Sequence, residues 1–95
     1  MRLIVATNSA ANPERNALTA FLEAKTWSVW HWYQDLWLID GAPASIDLPA
    51  LRVEISRAIP TLAQFMIFTV EGPISHAGLV PQESAEWFTA HWDRR

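Results

Sequence analysis

Arg2 to Thr7 is a nearly unbroken apolar run of mostly branched residues, R-L-I-V-A-T. A run this short and this apolar predicts a strand buried on both faces. The period then changes. Ala17, Leu18, Phe21, Leu22 and Ala24 recur at spacings of three and four and predict a helix with one apolar face. Asn12-Pro13-Glu14 marks its start, with Asn as the cap, Pro at the first helical position and Glu at the positive end; the helix runs to about Lys25. From Trp27 the period falls to two. Trp27, Val29, His31 and Tyr33 take one side of a strand, and Ser28, Trp30, Trp32 and Gln34 the other. Gln34-Asp35 forms a tight connection and L-W-L-I-D resumes the strand pattern, so a β-hairpin is expected. Gly41 and Pro43 interrupt it. A second helix, capped by Ser45 or Asp47, places Leu51, Ile55 and Ile59 one turn apart and stops at Pro60. Gln64 to Glu71 predicts a further strand. A loop through G-P-I-S-H-A-G-L-V-P leads to a short final helix with Trp87, Phe88 and Trp92 on one stripe.

The order β-α-β-β-α-β with an added C-terminal helix predicts an α+β domain over residues 1–95. Its expected form is the ferredoxin-like arrangement, an antiparallel sheet with both main helices on one face. The other face of such a sheet is usually wet, with strands that alternate apolar and polar residues. These strands do not alternate. Trp30 and Trp32 oppose Trp27, Val29 and Tyr33; Leu36 and Leu38 oppose Trp37 and Ile39; Phe65 and Ile67 oppose Met66, Phe68 and Val70. A large aromatic left in water forfeits several kcal/mol, at about 25 cal/mol per Å² and about 150–250 Å² per ring. The expectation is therefore a cover for the second face. The C-terminal helix could supply part of it, and a second copy stacked through a twofold axis the rest, with Trp30, Trp32 and Trp37 at the dimer interface. The competing use is a platform on which bases of single-stranded nucleic acid stack, but such sheets pair aromatics with cations, and these strands carry almost none beyond Arg2.

Charge narrows the choice. Ten carboxylates against seven Lys and Arg leave a net charge of −3, the wrong balance for broad binding of a phosphate backbone. Only 18% of residues are charged, below the usual quarter or so for a soluble domain. The absence of cysteine excludes disulfides and thiolate metal sites. M-R-L-I-V-A-T is too short for a signal peptide's apolar region and no run is long enough to span a membrane, so a cytoplasmic setting is expected.

Few residues suggest chemistry. Asp40 before Gly41 suits a turn better than a general base. His31 sits among aromatics as a packed histidine, His76 lies in a loop, and His91 falls in the last helical turn, where it faces the negative end. No second His or carboxylate stands at metal-ligand spacing from His76. A-T-N-S-A-A-N-P-E-R joins a strand to a helix but lacks the glycines and lysine of a phosphate cradle, and Ser9 has no nucleophile motif around it. No cofactor is expected.

W-S-V-W-H-W-Y-Q-D-L-W-L-I-D with L-R-V-E-I-S-R-A-I resembles the SinR-like proteins, which group with the ferredoxin-fold CRISPR adaptation proteins and the VapD-type ribonucleases. Trp37-Leu38-Ile39 matches that family's W-L-V third strand. Gly78, Leu79, Glu83, Glu86 and Trp87 match its closing segment. The resemblance implies a homodimer packed through the sheets. It also implies that the place of the relatives' metal-holding Tyr-Asp pair, at the end of the first strand, is taken here by Thr7-Asn8, and a neutral Asn is a poor Mg²⁺ ligand. The expectation is thus a non-catalytic, homodimeric interaction or scaffold protein beside nucleic-acid machinery. The alternative is a Mg²⁺-dependent nuclease or endoribonuclease using Asn8, Ser9 and Asp40 at the dimer junction with His76 nearby. A third expectation is a toxin-antitoxin or defence component whose partner supplies the missing charge.

Overall fold

A computed structural model describes residues 1–72 and 77–92. The elements are β1 (Arg2–Thr7), α1 (Asn12–Ala24), β2 (Ser28–Tyr33), β3 (Leu36–Asp40), α2 (Leu48–Ala58), β4 (Phe65–Val70) and α3 (Gln82–Trp87), the last continued by one π-helical turn over Phe88–Trp92. The four strands form one antiparallel sheet in the order β2-β3-β1-β4. Each β-α-β crossover therefore skips a strand. β1 and β2 run parallel on either side of β3, and β3 and β4 on either side of β1.

The helix starts follow local chemistry with one change. Ala11, not Asn12, caps α1. Its N–H donates to Glu14 Oε1 at 2.9 Å, the half of a capping box that the glutamate three residues on supplies. Asn12 Oδ1 instead accepts from Arg15 at 2.7 Å. The hydrogen bond from Ala11, followed by one involving Thr61, holds the Glu14 carboxyl below its ordinary pKa. Asp47 caps α2 by accepting the Ala50 N–H at 3.1 Å, and Ser45 has no such role.

Both main helices lie on the same face of the sheet. Leu18 and Leu22 of α1 and Leu51 and Ile55 of α2 close over Leu3, Val5, Trp37 and Ile39. Lys25 Nζ reaches Glu54 at 2.8 Å across the rim of the two helices. Trp37 anchors this layer at 0% exposure. Its Nε1–H donates to Thr19 Oγ1 at 2.9 Å, and His31 stacks on its ring at 4.2 Å between centroids. The His31 Nδ1–H is satisfied by the Leu36 carbonyl at 3.0 Å, which settles the histidine as a packed, hydrogen-bonded residue of the helix face.

The second face is covered in part by the chain itself. Trp92 packs with Trp30 and Leu38 into a separate cluster, to which Trp87 and Phe88 add their rings beside Ile4, Leu36 and Val70. Arg2 fastens the end of this helix, donating to the carbonyls of Trp92 and Gly72 and standing 5.7 Å from the Trp92 ring centre. The attachment is less complete than the packing on the helix face. Trp30 Nε1 and Ser84 Oγ are buried in it without a hydrogen-bond partner among the described residues, where an unmet polar group costs about 1–3 kcal/mol.

The alternation expected along β2 breaks at its end. Pairing with β3 is regular through Trp30↔Leu38 but shifts before Tyr33↔Leu36. That irregularity moves Tyr33 to the side of Trp30, whose ring it meets edge-on at 5.3 Å, rather than to the side of Val29.

Candidate functional site

Three places bring together the residues that carry chemistry or recognition. The first is the end of β1. Ser9 holds a left-handed backbone, φ 55°, and the loop it bends is tied down by Asp35 from the β2–β3 turn. Asp35 Oδ1 accepts the Thr7 hydroxyl at 2.5 Å and the Ala10 N–H at 3.2 Å, with Arg15 Nε at 3.6 Å. The Thr7 bond, then the Ala10 N–H and the Arg15 charge, hold its carboxyl below the ordinary aspartate value against the opposing effect of partial burial. Asn8 spends its amide on Gln64 Oε1 at 2.9 Å. It faces a cleft of about 510 Å³ shared with Arg52, Ser56 and Gln64. The Asp35 carboxylate already serves two donors and a guanidinium, and the residue at the strand end is neutral. Thr7, Asn8 and Ser9 do not make a divalent-cation site. Among the described residues no three of His, Cys, Asp and Glu converge enough to hold a metal ion.

Because folding depresses the Asp35 pKa, its ionised form stabilises the native state above the unfolded value of 3.8. That contribution disappears as the pH falls through the lower folded value. Thermal unfolding between pH 6 and pH 2.5 should show an acid loss of stability that Asp35→Asn reduces. An unchanged acid limb in the variant would show that the contacts of Asp35 do not bear on folding.

The second place is the opposite end of the sheet. Asp40 Oδ2 lies 3.2 Å from His91 Nδ1, two residues 51 apart in sequence. Met1, Arg2, Val70 and Glu71 complete a cleft of about 320 Å³ around them. Arg2 is engaged with backbone carbonyls and His91 leans on the Trp87 ring at 5.2 Å, so the pair fastens the C-terminal helix to β3. Asp40 pairs across the sheet with Ser28 at the base of β2, while Asn8 and Ser9 follow the far end of β1. About six strand residues, roughly 20 Å, separate them. One chain does not bring Asp40 together with Asn8 and Ser9. His76 lies outside the described residues.

The third place is apolar. A groove of about 540 Å³ runs between the second face and the C-terminal helix, lined by Trp30, Tyr33, Leu36, Leu38, Phe88 and Trp92 among others. Beyond it, Trp32 is 53% exposed, Met66 58% and Phe68 47%. The three tryptophans expected at an interface therefore separate. Trp37 is enclosed beneath α1, Trp30 is covered by the chain's own Trp92 and Phe88, and only Trp32 keeps a large free surface. Two sheets cannot stack directly over Trp30 without displacing the C-terminal helix.

No family model, curated protein or solved structure matches the chain. What the chain does must then be argued from these three places. Two are polar and hold themselves together with their own hydrogen bonds. The third leaves large apolar side chains in water. No helix among the described residues is long and apolar enough to cross a membrane. Sequence patterning set Met66 and Phe68 on one side of β4 but showed neither their exposure nor the Asp40–His91 pair. Both residues occur singly, and no local motif announces a contact made through the docking of the last helix.

Proposed function

We propose that the protein is a small, non-catalytic interaction module of the ferredoxin-like type that associates with itself and serves as a scaffold, in keeping with its resemblance to the SinR-like proteins. The strand order β2-β3-β1-β4 with two strand-skipping crossovers supports the ferredoxin-like part. The observation that carries the interaction part is the set of large apolar side chains that the C-terminal helix leaves uncovered, Trp32, Tyr33, Met66 and Phe68. Scattered exposed apolar residues are ordinary, but these come as two pairs, Trp32 with Tyr33 on one edge strand and Met66 with Phe68 on the other, and clustered large apolar side chains mark contact surfaces. The carboxylate geometry supports the non-catalytic part: Asp35 is committed to its loop and Asp40 to His91.

Two measurements test this together. Sedimentation velocity across a concentration series should show a reversible monomer–dimer equilibrium. Labelled RNA and DNA incubated with the protein and Mg²⁺ or Mn²⁺ should stay intact. Cleavage that vanishes in Asn8→Ala would replace the scaffold with a metal-dependent nuclease, and a monomer at every concentration would remove the self-association.

A further inference from the structure

Strand β4 is an edge of the sheet, and among the described residues its one strand partner is β1. Its sequence F-M-I-F-T-V contains no charge, no proline and no glycine. It pairs with β1 without a break from Arg2↔Val70 to Thr7↔Phe65. Natural sheets protect their edges with charges, prolines, bulges or covering elements, because a free row of N–H and C=O groups recruits further strands. The opposite edge follows that rule. β2 carries a register shift between Trp30 and Tyr33 and ends in it. Among the described residues β4 shows none of these devices, and it also holds the exposed rim residues Met66 and Phe68.

Resting on the self-association proposed above, we infer that β4 is the dimerisation strand: it pairs antiparallel with β4 of a second copy, joining two four-stranded sheets into one of eight strands. A foreign strand could use the same edge, but two features favour a second copy. The first is parity. A twofold axis perpendicular to the sheet keeps each face on its own side, so directly opposed residues must both be even-numbered or both odd-numbered. The register centred on Ile67 meets this condition and sets Met66 of each copy directly opposite Phe68 of the other, one apolar strip along the seam, while Trp32 and Tyr33 at the far edge stay outside it. The second is charge. Antiparallel pairing brings Glu71, exposed one residue past the end of β4, to the start of the other strand. There Arg52 lines a groove with Phe65, Met66 and Ile67. Symmetry makes this complementary contact twice.

The edge is about 20 Å long, six residues at about 3.3 Å each. Its contact area lies at the low end for specific complexes, so a dissociation constant on the order of 1–100 μM is expected.

Sedimentation velocity of the full chain from about 1 μM to about 1 mM provides the test, with circular dichroism and thermal melting confirming the fold of each variant. Arg52→Glu should weaken the dimer about tenfold by opposing like charges at both symmetric contacts. Adding Glu71→Arg to it should restore affinity to within about threefold of the parent. Phe68→Lys should abolish the dimer in the same range. A parent dimer indifferent to all three variants overturns β4 pairing while leaving self-association standing, and would point to contact through Trp32 and Tyr33. A parent that stays monomeric to 1 mM overturns both, and leaves the edge to a foreign strand.

Discussion

Trp37→Ala should lower stability by about 3–5 kcal/mol, the usual cost of emptying a large buried aromatic site. For a chain of 95 residues this is a drop of roughly 15–30 °C in Tm. It consumes much of the stability expected of such a domain, about 5–15 kcal/mol. The effect is large because three contributions leave together. The ring fills the space between the sheet and α1 at 0% exposure, its N–H satisfies Thr19, and its flat face supports His31. Trp37→Phe separates them, keeping most of the volume and losing the hydrogen bond, and should cost about 1–2 kcal/mol. Chemical denaturation of both variants checks the ordering. A Trp37→Ala protein within 1 kcal/mol of the parent would mean that this ring is not the centre of the helix-face core.

Trp92→Ala should cost about 3 kcal/mol by the same reasoning, but its failure should look different. Among the described residues the cluster it anchors contains three buried ones, Trp30, Leu38 and Trp92. It includes a buried indole N–H without a partner among the described residues. Once the ring is gone, the helix keeps the bond from Arg2 to the residue-92 carbonyl and the His91–Asp40 contact. Both are polar contacts in a partly exposed setting, and neither replaces buried apolar area. The expected result is local detachment: a red-shifted tryptophan emission and binding of a hydrophobic dye in the native baseline, while α1, α2 and the sheet keep their far-ultraviolet signal. Detached protein should also self-associate more strongly, since Trp30 and Leu38 become accessible. A single cooperative melt at lower temperature, with no dye binding beforehand, would show that the second face and the helix face unfold as one unit.

These two tryptophans show how the chain divides its aromatic residues. The segment from Trp27 to Trp37 sends one ring deep under the main helices, another under the terminal helix, and leaves Trp32 at the surface. The aromatic richness of this hairpin is therefore mostly core on both sides of a single sheet. The large apolar surface left exposed lies at its margins, at the end of β2 and along β4. Each polar end has its carboxylate bound to its own chain.

The period of the apolar residues, read without any tertiary information, was enough to lay out six elements of the sheet and its two main helices in order, and to foresee the terminal helix. Each of those features is local. A period of two or of 3.6, a proline in a first turn or an Asp47 at a cap acts within a few residues and leaves a mark on the sequence there. The side taken by Tyr33 was not legible, because one irregularity in pairing reverses parity and nothing in H-W-Y marks it. Nor was the fate of the second face. Whether Trp30 meets water, a second copy or Trp92 depends on where a helix more than fifty residues later comes to rest, and on the balance of burial and unsatisfied groups when it does. Local sequence fixes the period of an element, and only the packing of distant elements decides what each face of it meets.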